Sequence, residues 1–153
     1  RHLLNRLHDN SIDVCFSYLA TNEISYKCIP YKTDEIIFVT NSQNIQFSNG
    51  IHNGEILHLP IIYSKFMPKS GFDWIHDIFP TNYVFQFTIS VIKEIIPFLL
   101  QYPYYAFLPR KLIEKELKDG LLIEIPLLDY HIPPLQSYII MKSNAKYNPL
   151  DYF

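Results

Sequence analysis

Glycine is scarce in this chain, at 4 of 153 residues. Neither G-x-G-x-x-G nor G-x-x-x-x-G-K occurs, which excludes a backbone loop cradling phosphates. G-x-S-x-G is missing too, so no nucleophile elbow of the serine-hydrolase kind is present. Only two cysteines occur, Cys15 and Cys28, each inside an apolar, strand-like run. They read as small buried hydrophobes rather than a disulfide or a zinc pair. The six histidines are scattered, and His52 and His58 do not have the spacing of a metal site. Positive charge has no excess either: 13 Lys and Arg face 15 Asp and Glu, a net charge of −2. That balance excludes a module gripping nucleic acid through its own surface, because phosphate contacts need clustered cations. No apolar run reaches membrane-spanning length, and the longest candidate, Ile95 to Tyr105, is broken by Pro97 and Pro103. Arg1-His2-Leu3-Leu4-Asn5-Arg6 lacks the apolar core of a signal peptide. Opening without Met is what a fragment would do.

Large apolar side chains are abundant. The chain holds 11 Phe, 12 Tyr and 1 Trp, and its hydrophobic residues make 48% against 18% charged. Such a composition can bury a sizeable core and is unlike a disordered chain. Periodicity gives short apolar runs alternating with helical segments. Residues 1–8 read as a helix end, and Ser11–Tyr18, Asn22–Tyr31 and Glu35–Thr40 as strands. The polar stretch Asn41–Gly54 reads as a connector. Further strands are expected at Pro60–Ser64, Asn82–Phe87, Tyr104–Leu108, Leu121–Ile125 and Gln136–Lys142. Helices are expected at Phe72–Phe79, at Val91–Gln101 with Ser90 as N-cap and a kink at Pro97, and from Pro109 to Lys118 with Gly120 past its end. Alternation of buried strands with helices argues an α/β class with mainly parallel sheets. There is no internal repeat.

Polar residues at strand ends are the chemically informative ones. Ser17-Tyr18, Tyr63-Ser64 and Phe87-Thr88-Ile89-Ser90 each follow or close an apolar run. Ligands of open α/β sheets sit outside the carboxyl ends of strands, where hydroxyls and helix-start amides suit a small ligand. The alternative is that Thr88 and Ser90 merely cap the following helix. No acid, base or nucleophile set with credible spacing points to an enzyme, and nothing calls for a cofactor or a metal.

The order of these pieces resembles the effector-binding domain of LysR-type transcriptional regulators. Leu3-Leu4-Asn5-Arg6-Leu7-His8-Asp9-Asn10-Ser11-Ile12-Asp13-Val14 looks like the family's leucines, polar turn and Ile-Asp-Val strand start. Glu35-Ile36-Ile37-Phe38-Val39 looks like the strand before the crossover. Ser90 to Pro109 resembles the family's helix followed by a strand ending in Leu-Pro. Leu112 to Leu122 looks like the next helix, its glycine stop and the returning strand. The likeness covers nearly the whole chain, and order and spacing carry it. One departure stands out: where the family usually has Gly-x-Gly before the Leu-Pro strand, this chain has Tyr102-Pro103-Tyr104. Those rings are expected to narrow a neighbouring cleft, or to fill it and leave sensing to protein contact. The family's first strand and helix, and its DNA-binding winged helix, do not appear in this sequence.

The resemblance implies a two-lobed, type II periplasmic-binding-protein-like fold with two crossover strands. Residues 1–44 and 127–153 would form part of lobe I, and residues 45–126 lobe II, with crossings near Ser42–Asn53 and Leu127–Pro134. It implies a cytoplasmic sensor rather than an enzyme, acting as a homodimer or tetramer and touching DNA only through a segment absent here. A solute-binding protein of a transporter shares this fold and is the alternative. The effector site is expected between the lobes, at Ser17 and Tyr18 from the first and Tyr63, Ser64, Phe87, Thr88 and Ser90 from the second. With no Lys or Arg in that set, the small-molecule effector is expected to be singly charged or neutral, between aromatic walls of Tyr18, Tyr63 and Phe87.

Overall fold

The computed structural model describes residues 14–17, 20–64, 69–85 and 87–143. The helix expected at 1–8, the start of the first strand and Tyr18 lie outside the described residues. Eight strands follow in chain order: β1 (Val14–Ser17), β2 (Tyr26–Asp34), β3 (Ile36–Asn41), β4 (Ile61–Ser64), β5 (Phe87–Ile89), β6 (Tyr105–Pro109), β7 (Leu122–Glu124) and β8 (Leu135–Lys142). Between them lie helices α1 (Asn53–Ile56), α2 (Ile92–Gln101) and α3 (Glu114–Lys118), and two 3₁₀ helices, η1 (Lys69–Asp77) and η2 (Arg110–Ile113). The class is mixed α/β.

The chain forms two compact units, one holding the residues up to Thr33 and from Leu135 onward, the other Asp34–Pro134. The first crossing therefore falls at Thr33/Asp34, not in the polar stretch after residue 41. The second falls at Pro134/Leu135, the end of the expected Leu127–Pro134 stretch. The reason for the first shift is hydrogen bonding. β3 pairs with β6 (Ile36↔Pro109 to Thr40↔Tyr105) and with β7 (Val39↔Glu124 to Asn41↔Leu122), so residues 36–41 belong to the second unit's sheet.

The smaller unit holds a three-stranded sheet in the order β1-β8-β2. β1 and β8 are antiparallel, with Cys15 opposite Ile140. Both cysteines are free thiols, Cys15 buried against Ile140 and Cys28 half-buried beside it. Burial pushes the Cys15 thiol pKa up, as expected of a packing residue rather than a nucleophile.

The larger unit is built on a five-stranded sheet in the order β5-β4-β6-β3-β7. β4 is parallel to β5 and β6, whereas β3 runs antiparallel to both its neighbours. β4 to β7 thus share one direction and β3 alone opposes it. The expectation of mainly parallel sheets is corrected: antiparallel registers are as prominent as parallel ones, because β3 is wedged between β6 and β7 instead of being reached by a helical crossover. Ile36–Val39 and Tyr105–Pro109 are buried throughout, as strands covered on both faces must be. The edge strands β5 and β7 are three residues long, which limits the unpaired backbone they expose.

One face of this sheet packs on α2, whose Ile95 and Leu99 are fully buried with Ile37, Val39, Ile62, Ala106 and Leu108. Their spacing of four puts both on one stripe of the helix. Pro97 lies inside α2 and withholds one i→i−4 bond, from Lys93. The N-cap is Val91, in extended conformation and without a side-chain cap bond. Ser90 therefore lies one residue outside the helix and is not its cap. Pro109 closes β6 instead of opening a helix, and η2 intervenes before α3. Gly120 ends α3 with φ of 74°, while its N–H donates to Leu117 O and that of Leu121 to Glu116 O. This pair of bonds is a Schellman stop, and the left-handed residue it needs is why glycine stands there.

β5 is displaced from its expected place. Asn82–Phe85 is irregular, and pairing starts only at Phe87. Tyr83 and Phe85 instead join a ring cluster with Phe79 and Tyr63, centroids 4.7–5.2 Å apart.

Candidate functional site

Two of the expected hydroxyl positions meet at the carboxyl ends of β4 and β5. Tyr63 stands opposite Thr88, and Ser64 opposite Ile89. Strand alternation puts Tyr63 and Thr88 on the same face of the sheet. Thr88 and Ser90 are exposed, Tyr63 is half-buried with its ring stacked on Phe85, and Ser64 is buried.

Ser64 alternates to the other face from Tyr63 and Thr88, and Phe87 does not join those two either. It alternates to the opposite face from Thr88, and its ring meets Phe98 at 5.8 Å and Tyr104 at 5.1 Å. Tyr102 and Tyr104 pack with tilted rings against Phe98 in the same cluster. They sit at the amino end of β6, where their carbonyls accept bonds from Asn41 Nδ2 (3.1 Å) and Thr40 Oγ1 (2.8 Å). Within this unit the bulky Tyr102-Pro103-Tyr104 turn is thus away from the strand ends that carry Ser64 and Ser90. Ser17, at the end of β1, belongs to the other unit and pairs with Tyr138.

Sequence reasoning missed a second cluster in the larger unit. Where β3 starts and β6 and β7 end, Arg110 holds three strands together. Its Nε and Nη2 donate to Glu35 Oε2 (2.8 Å) and Oε1 (3.0 Å), and Nη2 also donates to Glu124 Oε1. The Arg110 N–H donates to Glu35 O at 2.8 Å. The Arg110 side chain holds the Glu35 carboxyl below the usual glutamate range, and both carboxylates push the Arg110 pKa up. Lys111 pairs with Asp34 at 3.4 Å.

Beside this cluster lies a cavity of about 240 Å³, lined by residues 35–38, 124–127 and 130–132. Its lining is mixed and partly open to solvent, with Ile36, Ile37, Phe38, Ile125, Pro126, Leu127 and Ile132 as apolar members and Glu35, Glu124, Tyr130 and His131 as polar ones. Tyr130 donates its hydroxyl to Asp77 Oδ2 at 2.7 Å and stacks on Trp74. Lost solvation and that bond push the Tyr130 phenol up to about 12, so it is a donor already in use, not a base. Glu35, Arg110 and Glu124 are 75 and 14 positions apart, and only strand register brings them together.

No family model matches the chain, and no curated protein matches its sequence. In three dimensions its neighbours are the regulatory domains of LysR-type transcription regulators, and the chain has their fold. An OxyR mutant of Corynebacterium glutamicum superposes with a TM-score of 0.70 at 19% identity, over 95% of this chain and 47% of that one. The MetR regulatory domain of N. meningitidis gives 0.68 at 12% identity, over 97% and 72%. Full-length HypT of Salmonella typhimurium gives 0.67 at 18% identity, over 98% and 52%. The chain spans about half the length of the OxyR and HypT chains it matches. No helix among the described residues is long and apolar enough to cross a membrane.

Proposed function

We propose that this chain is the effector-sensing regulatory part of a LysR-type bacterial transcription regulator. The observation that carries the reading is the match of fold to LysR regulatory domains along nearly the whole chain. In this reading the two units are the lobes of a periplasmic-binding-protein-like domain, and the chain crossings at Thr33/Asp34 and Pro134/Leu135 let effector binding change their arrangement. The protein works in the cytoplasm as a homodimer or tetramer and reaches DNA through a segment outside this sequence. It performs no catalysis. The neighbours are regulators rather than transport proteins, which favours the sensor over a transporter's solute-binding component.

In the larger unit Thr88, Tyr63, Ser64 and Ser90 are the proposed effector contacts, with Thr88 foremost because it is exposed beside Tyr63 at the strand ends. Ser17 and Tyr18 are the smaller unit's proposed contribution. A hydroxyl set without a cation suits a singly charged or neutral molecule. One neighbouring OxyR structure is H2O2-bound, and HypT is described as hypochlorite-specific, so the fold accommodates regulators that respond to very small molecules.

A thermal-shift screen of small carboxylates, amino acids, sulfur compounds and aromatics identifies the effector, since a ligand of the folded state raises Tm by mass action. With it in hand, Thr88→Val and Ser64→Ala are each expected to weaken binding by about 0.5–1.5 kcal/mol, one net hydrogen bond. Calorimetry showing unchanged affinity in both variants rejects this placement.

A further inference from the structure

The cavity beside Arg110 has two properties that together select a ligand. Its size is the first: it is partly open to solvent and about 240 Å³, more than the about 150 Å³ that holds a benzene ring. A single ring with a short arm fits. Charge is the second. Glu35 and Glu124 bring two negative charges, and Arg110, bound to both, returns one positive charge, leaving a net −1. Both Glu35 oxygens are taken by Arg110, whereas Glu124 uses only Oε1 in the bonds described. Glu124 Oε2 takes no part in those bonds, and Glu124 lines the cavity. Asp77 stands behind Tyr130 and adds to the negative field. His131 is the other lining residue with an ionisable side chain of positive sign. An apolar body attracts apolar bodies in general, but a net negative rim with a lining carboxylate discriminates among their head groups.

We propose that this pocket is a binding site for a small organic monocation, a primary amine carried on an apolar ring or chain, with the ammonium donating to Glu124. The site lies wholly in the larger unit, shares no residue with the hydroxyl set at β4 and β5, and does not rest on the sensor reading.

The test uses three probes of one shape on the intact chain: phenethylamine, phenethyl alcohol and hydrocinnamate, at about pH 8, where the amine and the carboxylate are both charged. Affinities are read by calorimetry and the site by amide chemical shifts. The expected result is that the amine binds about tenfold tighter than the alcohol, as one charge-assisted hydrogen bond allows, and that the anion binds least. The shifts should map to residues 124–132. Glu124→Gln should bring the amine down to the alcohol while leaving the alcohol unchanged, which also reports that the pocket is intact. Leu127→Trp should fill the pocket and abolish both. Raising salt to about 0.5 M should narrow the amine's advantage in the unaltered chain, so the charge claim is testable even if a variant fails to fold. Equal binding of amine and alcohol overturns the proposal. So does tightest binding of the anion, shifts located elsewhere, an amine preference that survives Glu124→Gln, or no binding of any probe at about 10 mM, where even millimolar affinity would register.

Discussion

In Asp34–Pro134 a nine-residue buried cluster draws on β3, β4, β6 and β7, α2, and the end of η2, with a helix laid across the sheet. In the described part of the other unit the buried apolar residues are Cys15 and four residues of one strand, β8: Leu135, Ile139, Ile140 and Met141. The same kind of sequence, short runs of Ile, Leu and aromatics, thus gives two distributions of burial. Where a helix covers a sheet, each core residue has neighbours from elements far apart in sequence, and a deletion is felt across the unit. A three-stranded sheet concentrates its buried side chains on the middle strand, and a deletion there acts on that strand's pairings.

The largest effects should come from core truncation, and they can break the contrast outright. Leu99→Ala and Ile140→Ala each remove a fully buried side chain, and each is expected to cost about 2–5 kcal/mol in urea denaturation. Hydrogen exchange separates them: Leu99→Ala should lower protection across β3, β4 and β6, and Ile140→Ala across β1, β8 and β2. Equal loss in both sheets for either variant would erase the distinction. Next comes Thr40, fully buried in the larger sheet, whose Oγ1 donates to Tyr104 O and accepts from Asn44 Nδ2 at 3.2 Å. Thr40→Val leaves that carbonyl unpaired and should cost about 1–3 kcal/mol. A neutral result would mean that water replaces the hydroxyl.

Two glycines of the larger unit give a graded test. Gly50 has φ of 130°, and an added Cβ would lie 2.6 Å from Leu128 Cδ2. The Leu128 side chain is exposed and can swing aside, so Gly50→Ala is expected to cost the backbone strain, about 1–3 kcal/mol. Gly120→Ala meets no atom within 4 Å and carries only the left-handed penalty of about 1 kcal/mol. Thermal denaturation should rank them in that order, and the reverse order would show that Gly120 carries the greater strain. The smallest effect is expected at Arg110→Ala. Its partners Glu35 and Glu124 are 62% and 38% exposed, so solvent screening reduces the cluster to about 1 kcal/mol or less. Its pH signature is clearer. Because the Glu35 pKa is depressed in the folded state, its stabilisation is present above the ordinary glutamate value of about 4.3 and is lost as pH falls through the depressed value. Arg110→Ala should flatten that acid limb, and an unchanged slope would assign it to other carboxylates.

Which parts were legible in the sequence follows from what local pattern encodes. Strand β3 is visible as Glu35–Thr40 because a run of buried β-branched and aromatic residues has no other use. Its direction is not visible, since an apolar run reads alike in a parallel or an antiparallel ladder, and so the sheet's mixed character was missed. Tyr83-Val84-Phe85 has strong strand propensity, yet Tyr83 and Phe85 take part in ring packing and the ladder begins only at Phe87. At the candidate site, the positions of Tyr63 and Thr88 at neighbouring strand ends were legible because strand ends are local features. That Phe87 takes the face opposite Thr88 was not legible, because one residue of register reverses the face a side chain takes. Glu35, Arg110, Glu124 and the cavity beside them had no local signal, since each is an ordinary charged residue until register places it.

The lone reversed strand also sets a schedule for synthesis. β3 leaves the ribosome before either of its partners exists, because Ile36 must wait for Pro109, 73 positions later. At about 5–20 residues per second that delay is roughly 4–15 s. During it, Ile36-Ile37-Phe38-Val39 has two open edges and no helix over it. Such a segment is a good template for unwanted strand addition, and its contacts are of the non-local kind that close slowly. The nascent chain should therefore be most vulnerable, and most dependent on chaperones, while β4 to β6 are still being made.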